Sequence, residues 1–360
     1  MAYKILKTRS PFFHQVVATS GTACSLEIRV WNGTTKPTNA DYTLEANSID
    51  GYATFEVADI VRGMITDNYS DSTDGIYYVE LKGYEDGVLE STVQLVATEG
   101  YALSEEGIQA DGQISDTYGQ VNPESDTRDS RVLISEGGSS VVAMMKKADD
   151  TPTGNVRYRI RTNGSNGDWT NYSTTTAQAS DVFSFITLTS DDEYLQYQIN
   201  STNYYIYVDV LQCNQYESYK LTYLNKNGIK NSIWFNGKSK SRISSSKDNF
   251  KASNVPYSVN LGSTITSNAN RFEQSHNSFD RIRDSRKSYI LNSDYINEYY
   301  VNQFEELFLS EKVWLSNDSV TDVPVNIKES SFDVKNHVND QLINYTIRVE
   351  EANSYINQYR

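Results

Sequence analysis

Two groups of carboxylates are the first candidates for chemistry in this sequence. Asp67, Asp71 and Asp74 lie within residues 67–75, a stretch that ends on a glycine. An EF-hand calcium loop needs acidic residues at alternate positions and a terminal glutamate, which this stretch lacks, so we interpret it as an acidic hairpin tip. Glu305 and Glu306 are adjacent, and neighbouring residues on a helix point about 100° apart. They therefore indicate a solvated helix face and not a paired acid and base.

Histidine and cysteine are too scarce for most metal or thiol chemistry. The chain has three histidines and two cysteines, Cys24 and Cys213, whereas structural zinc takes about four closely spaced nitrogen or sulfur ligands. The sequence contains no Gly-x-Ser-x-Gly, His-Glu-x-x-His, P-loop or dinucleotide-binding glycine motif. We therefore predict no catalytic residue, no cofactor or cofactor-binding residue and no metal ligand, and we expect two buried free thiols. His14 is expected to be structural.

The composition predicts a folded chain of two or three domains. The chain has 360 residues, of which 38% are hydrophobic and 22% are charged, and it contains 27 Tyr. This composition offers enough apolar surface to offset the entropy of ordering. No stretch approaches the roughly 20 apolar residues of a membrane span, and the first residues lack an apolar run of signal length. We expect synthesis in a cytoplasm and no membrane partner.

The charge is unevenly distributed along the chain. The net charge is −15, but residues 1–130 hold 8 Lys/Arg against 21 Asp/Glu, while residues 220–290 hold 13 Lys/Arg against 4 Asp/Glu. An acidic end and a basic section favour head-to-tail contact between copies over generic nucleic-acid binding. The predicted interface residues are Lys238, Lys240, Arg242, Lys247, Asp67, Asp71, Asp74, Glu105 and Glu106.

The hydrophobic patterns predict a mainly β protein. Residues 1–103 are predicted to form a β-sandwich, because stretches such as 25–30 alternate polar and apolar residues. Apolar residues at helical spacing in 57–64 add one short helix. Residues 104–130 are poor in apolar residues and are predicted to be a linker or a long exposed loop. Residues 131–218 are predicted to form a second β-sandwich, in which the almost continuously apolar stretch 204–211 is covered on both faces.

Residues 219–360 are predicted to form a β-rich α+β domain. A β-hairpin with Gly228 at its turn is followed by a polar arm at about 238–278. Asn292 or Ser293 is expected to cap one long helix that packs on a sheet. The apolar stripe of this helix consists of Ile296, Tyr299, Tyr300, Phe304, Leu307 and Phe308.

Two other functions remain open at this stage. Tyrosine-rich strands suggest sugar binding, because aromatic faces stack on pyranose rings, so the chain could be a carbohydrate- or receptor-binding β-sandwich protein; tyrosines half-buried in sheets and at subunit contacts are the preferred interpretation. A glycan hydrolase with an unrecognised carboxylate site is the second alternative. Basic residues from Lys226 to Lys251 could contact DNA, but docking on an acidic neighbour is the preferred interpretation.

Several stretches resemble tail-region virion proteins of Bacteroidetes phages, in particular crAss-like phages. These stretches are residues 9–13, 219–228, 291–293, 305–310, 323–327 and 339–347. The resemblance implies a tail-tube-like structural protein of the tail or neck of a short-tailed phage virion. It also implies a ring, with twelve copies expected, contacts with other tail or portal proteins, and non-specific proximity to DNA in the channel. The polar insertion at 238–278 departs from the family pattern.

Overall fold

A computed structural model describes most of the chain. The described residues are 4–32, 35–65, 76–104, 109–110, 119–120, 129–145, 157–171, 183–199, 202–212, 216–251, 257–260, 264–267, 278–317, 320–329 and 342–355. The fold is mainly β and contains several sheets, which confirms the predicted class. Three groups of buried apolar residues divide the described sheets into three units.

The first unit contains two sheets that share one core. The five-stranded sheet has the order β1-β7-β6-β3-β4, and the three-stranded sheet has the order β5-β2-β8. Side chains from both sheets and from helix α1, such as Leu26, Phe12 and Val61, meet in this core. The elements are β1 Lys4–Lys7, β2 Phe12–Val17, β3 Ala23–Trp31, β4 Tyr42–Asn47, β5 Tyr52–Glu56, α1 Ala58–Met64, β6 Tyr77–Glu85, β7 Val88–Thr98 and β8 Gln109–Ala110.

The second unit also contains two sheets around a common core. A larger sheet has the path β10-β17-β16-β12-β13, with β14 paired to β12, and a smaller sheet has the order β15-β11-β9. Ile134, Leu195 and Ile206 of the larger sheet share the core with Val142 and Leu188 of the smaller one. The strands are β9 Gly119–Gln120, β10 Asp129–Ser135, β11 Ser139–Met145, β12 Arg157–Thr162, β13 Ser165–Asn166, β14 Thr170–Asn171, β15 Phe183–Thr189, β16 Asp192–Ile199 and β17 Thr202–Leu211.

The third unit is a seven-stranded sheet with the order β19-β18-β25-β26-β28-β23-β20. Gly228, at φ +75°, lies in the turn between β18 and β19, as predicted. Its strands are β18 Tyr219–Leu224, β19 Lys230–Phe235, β20 Lys240–Lys251, β23 Ser278–Asn292, β25 Val313–Asn317, β26 Val320–Ile327 and β28 Thr346–Glu351. Two separate two-stranded sheets come from the same part of the chain: β21 Tyr257–Asn260 with β22 Thr264–Ser267, and β24 Ile296–Asn297 with β27 Leu342–Ile343.

The prediction of one long helix starting at Asn292 or Ser293 is wrong. The observed helical segment has 12 residues, a 3₁₀ turn at Glu298–Tyr300 followed by α2 at Val301–Leu309. Asn292 instead ends β23 and accepts a hydrogen bond from the Asp294 N–H, which forms a local turn. Asn297 supplies the cap, because its side chain accepts from the Tyr299 N–H. Asn and Ser stabilise turns as well as caps, so their identity alone did not fix the start of the helix.

Direct contacts join the three units. The N–H of Tyr101 in the first unit donates to the Lys226 carbonyl of the third unit at 2.8 Å. Between the second and third units, the Tyr300 hydroxyl donates to Asp209 at 2.7 Å, and the Ser140 and Ser232 hydroxyls lie 2.7 Å apart. These contacts hold the surfaces described next on one framework.

Candidate interaction surfaces

The hairpin formed by β20 and β23 extends beyond the seven-stranded sheet. All 12 residues of β20 are exposed. On its other side, β23 pairs with β28 only from Ser288 to Asn292. Among the described strands, residues 278–287 therefore pair with β20 alone. We call residues 240–251 and 278–287 the ribbon.

The ribbon is basic and carries exposed apolar side chains. It contains eight Lys/Arg and three Asp. Lys247 lies 3.6 Å from Asp280, whereas Lys240, Arg242 and Lys251 have no ion pair within the described part of the chain. Exposed apolar side chains of the ribbon include Ile243, which is 56% exposed, and Phe250, which is 49% exposed. Both would lose contact with water if a partner covered the ribbon. The ribbon thus combines positive charge with apolar surface.

The four basic residues predicted to lie at an interface fall on or beside the ribbon. Lys238 is exposed just before β20, and Lys240 and Arg242 lie where the ribbon leaves the sheet. Lys247 lies beyond a β-bulge between Ser246 and Lys247. The predicted polar arm is therefore built, over its described residues, from paired strands. The other predicted interface residues, Asp67, Asp71, Asp74, Glu105 and Glu106, lie outside the described residues.

A second surface lies at one end of the first unit. The turns at 17–23, 48–52 and 85–90 meet there through backbone hydrogen bonds, including Ala18 N–H to Gly51 and Asp86 N–H to Ala23. We call these three turns the acidic end. Its exposed carboxylates are Asp50, Asp86 and Glu90, and its exposed apolar side chains are Val17, Ile49, Tyr52, Val88 and Leu89.

Hydrogen bonds keep one further carboxylate of the acidic end ionised. Glu85 accepts from the Thr19 N–H at 2.6 Å and from the Thr22 hydroxyl at 2.9 Å. These bonds lower the pKa of Glu85, with the Thr19 backbone as the largest cause. Since bonds to the charged form favour it, Glu85 carries a negative charge at neutral pH.

A third surface is the outer face of the larger sheet in the second unit. Its side chains form cross-strand rows: Arg161, Tyr194, Tyr207 and Arg131 in the first row, Arg159, Gln196 and Tyr205 in the second, and Arg157, Gln198 and Asn203 in the third. Trp169 lies beside the last two rows, with its ring centroid 4.3 Å from the Arg157 guanidinium and 4.5 Å from that of Arg159. We call this surface the arginine–aromatic face.

Internal hydrogen bonds fix the polar side chains of the arginine–aromatic face. The Nε atoms of Arg157 and Arg159 donate to Gln198 and Gln196 at 2.9 and 2.8 Å. The Gln196 amide in turn donates to the Tyr205 hydroxyl at 3.3 Å. The polar side chains of the second and third rows are therefore held by hydrogen bonds along each row and do not rotate freely.

The prediction that residues 204–211 are covered on both faces is correct at only one end. Asp209 accepts a hydrogen bond from Tyr300 of the third unit, and Leu211 packs against the core of that unit. Tyr205 and Tyr207, which point to the same side, are only half-buried. The sequence indicated an apolar strand but not that part of its outer face stays accessible.

The remaining candidates from the sequence occupy structural positions. His14 is buried on β2, and its Nε2 lies 3.2 Å from the Ser91 hydroxyl. Cys24 is a buried free thiol, and burial raises its pKa, while Cys213 lies outside the described residues. The prediction that Glu305 and Glu306 form a solvated helix face is wrong, because Glu306 is buried on α2 and Glu305 is half-buried.

Neither a cluster of metal ligands nor a membrane-spanning helix is found among the described residues. Among the described residues, no three His, Cys, Asp or Glu side chains are grouped so that they could hold a metal ion. None of the described helices has the length and apolarity to cross a bilayer.

Comparison with known proteins adds no family to this description. No known protein family matches the chain, and no curated protein matches it significantly. The fold and surfaces define a mainly β protein with a basic ribbon, an acidic end and an arginine–aromatic face. Its function has to be inferred from these three surfaces.

Proposed function

We propose that this protein is a structural, non-catalytic subunit of a phage tail or neck in the virion. Identical copies close into a ring around the DNA conduit and contact other tail or portal proteins. The observation that carries the proposal is the ribbon, whose strand β20 is exposed over all 12 of its residues. The resemblance of several stretches of the sequence to phage tail proteins supplies the phage context.

The ribbon has the physical properties of a segment that is completed by a neighbour. A two-stranded hairpin is at best marginally stable alone in water, and an open strand edge is a template for pairing with another chain. Ile243 and Phe250 are each about half exposed, so burying the rest of each side chain at a contact would contribute about 1 kcal/mol. A neighbouring copy that covers the ribbon would therefore stabilise both partners.

The acidic end is the surface of the neighbouring copy that we assign to the ribbon. It is negative where the ribbon is positive, and both surfaces expose apolar side chains between their charges. Because the two surfaces differ, their contact is heterologous, and repeated heterologous contacts generate a ring when the rotation closes. A closed ring leaves every ribbon and every acidic end occupied.

The mass of the purified protein and its appearance in the electron microscope test this proposal. We expect closed rings, with twelve copies, that disassemble when residues 247–283 are replaced by Asn-Gly. This replacement joins Ser246 to Asp284, which are directly opposed in the register, and a two-residue turn suits such a pair. It retains Ser285, whose carbonyl accepts from the Tyr355 N–H at 2.7 Å.

Point variants keep the test independent of the deletion. Ile243→Thr/Phe250→Thr removes the apolar surface of the ribbon with β-compatible residues and should yield monomers, whereas Tyr295→Thr, a control at a residue that is 69% exposed, should leave the rings intact. Wild-type protein that stays monomeric at high concentration would refute ring formation. Rings that form in both the deletion of residues 247–283 and the Ile243→Thr/Phe250→Thr variant would refute the role of the ribbon. Labelled antibodies that bind particles anywhere except the tail or neck would refute the assignment to that position.

A further inference from the structure

We propose that the arginine–aromatic face binds an acidic polysaccharide. Uronic-acid carboxylates would pair with Arg157 and Arg159, and the sugar rings would lie against the tyrosines of the neighbouring strands. This activity is separate from ring formation, because the face belongs to the second unit and the ribbon to the third. The two proposals can therefore fail independently.

The size of the face fits a short stretch of glycan chain. Its first row crosses four strands, β12, β16, β17 and β10, and neighbouring strands lie about 4.8 Å apart, which gives a width of about 14 Å. Alternate residues on one strand are about 7 Å apart, so the three rows cover a similar length. This area accommodates several sugar units in extended form.

The distribution of charge on the face defines where an anion would bind. Arg131 is paired with Asp209 at 2.9 Å, and Arg161 is paired with Glu193 at 2.7 Å. Arg157 and Arg159 have no carboxylate partner within the described residues, and their hydrogen bonds to glutamine use only the Nε atoms. Their terminal guanidinium nitrogens remain available for the planar, two-pronged contacts that arginine makes with carboxylates.

The aromatic part of the face lies next to these two arginines. Tyr205 and Tyr207 stack at 6.0 Å with an interplanar angle of 20°, and Tyr194 meets both rings edge-on at 5.4 and 6.0 Å. All three are half-buried, so their outer parts offer an apolar and hydroxyl-bearing surface. Aromatic side chains of this kind combine apolar contact area with a polar end. Because the polar side chains of the second and third rows are already hydrogen-bonded, little further ordering is needed on binding.

The same features favour a glycan over single-stranded nucleic acid. Nucleic-acid affinity comes mainly from many phosphate contacts, but only two arginines of the face lack a carboxylate partner. Nucleic acid is therefore the alternative that the experiment must separate.

Binding of polygalacturonate to the purified full-length protein tests the proposal. Dextran serves as a neutral glycan and a 20-nucleotide oligo(dT) as the nucleic-acid probe, with affinities measured by calorimetry or biolayer interferometry. We expect polygalacturonate to bind, and more weakly as salt is added. Arg157→Gln/Arg159→Gln should weaken this binding at least tenfold. Arg348→Gln/Lys328→Gln removes the same charge from the third unit and should change the affinity less than twofold.

A second variant covers the case in which the double arginine change disturbs the sheet. Tyr207→Leu should lower polygalacturonate affinity several-fold, with the thermal unfolding midpoint measured alongside for both variants. Binding of no probe, equal binding of dextran, or tighter binding of oligo(dT) than of polygalacturonate would each overturn the proposal. Unchanged affinity in correctly folded Arg157→Gln/Arg159→Gln would overturn it as well. Ring formation by the same variants, checked by mass, shows separately whether assembly is affected.

Discussion

At the scale of single residues, Gly228 is critical for the junction between the first and third units. Its φ of +75° is disfavoured for residues with a side chain. A Cβ placed there would also lie 2.4 Å from the Gly100 nitrogen. Any larger residue must push the two backbones apart and break the Tyr101 to Lys226 hydrogen bond. Glycine is therefore required at position 228 for both a conformational and a steric reason.

We predict that Gly228→Ala lowers the free energy of unfolding by about 3 kcal/mol or more, because it adds a steric clash to the left-handed backbone cost. Gly87→Ala is the matched control, since its φ is +80° but no atom lies within 4 Å of the added Cβ. It should cost about 1–2 kcal/mol. Urea denaturation measures both values, and equal losses would show that the junction is not tightly packed.

Tyr219 predicts a pH dependence of stability at the alkaline end. Burial, with Glu217 as the next cause, raises the pKa of Tyr219 to about 12, while an unfolded tyrosine titrates near 10. Its contribution is therefore complete below about pH 10 and is lost as pH rises toward 12. The stability difference between wild type and Tyr219→Phe should fall over that window. Glu217→Gln should make the fall smaller, and a flat difference would contradict the assignment.

At the scale of elements, α2 anchors the core of the third unit through one ring. Phe304 is fully buried and lies 4.7 Å from Tyr345 and 5.8 Å from Phe235, measured between ring centroids. We predict that Phe304→Ala costs about 3–5 kcal/mol, because the cavity adds to the lost burial. On the same helix, Leu309 is 37% exposed, so Leu309→Ala should cost less than about 1 kcal/mol. Comparable losses in thermal or chemical denaturation would contradict this role of Phe304.

Some elements could be predicted from the sequence alone, and others could not. The alternation in 25–30 and the helical spacing in 57–64 predicted β3 and α1 because each buries one face against a core. The ribbon buries neither face of β20, so its serine-rich sequence has no apolar period and was predicted only as a polar arm. The arginine–aromatic face depends on the register of strands up to 78 residues apart, such as Arg131 and Asp209, and no local pattern records that register.

At the scale of the whole molecule, the uneven charge predicts that assembly depends on the salt concentration and on the sign of the charges on the two surfaces. The ribbon contributes Lys240, Arg242 and Lys251, and the acidic end contributes Asp50, Asp86 and Glu90, all exposed. Attraction between two such surfaces is screened over about 10 Å at 0.1 M salt and about 3 Å at 1 M. Raising the salt should therefore dissociate rings, whereas an interface held mainly by apolar contact would tighten.

Charge reversal distinguishes this pairing from other contacts between copies. Lys240→Glu/Arg242→Glu/Lys251→Glu places like charges opposite each other and should prevent ring formation, because the acidic end then repels the ribbon. Asp50→Lys/Asp86→Lys/Glu90→Lys alone should do the same. In an equimolar mixture of the two variants, both ribbon-to-end contacts between unlike copies are attractive and only contacts between like copies are repulsive, so the mixture should form rings in which the two variants alternate. A single chain carrying all six changes should form rings again, since each reversed ribbon meets a reversed end. Sedimentation measures the assembly state of the four samples. If the six-fold variant folds but does not assemble, the ribbon docks on a surface other than the acidic end.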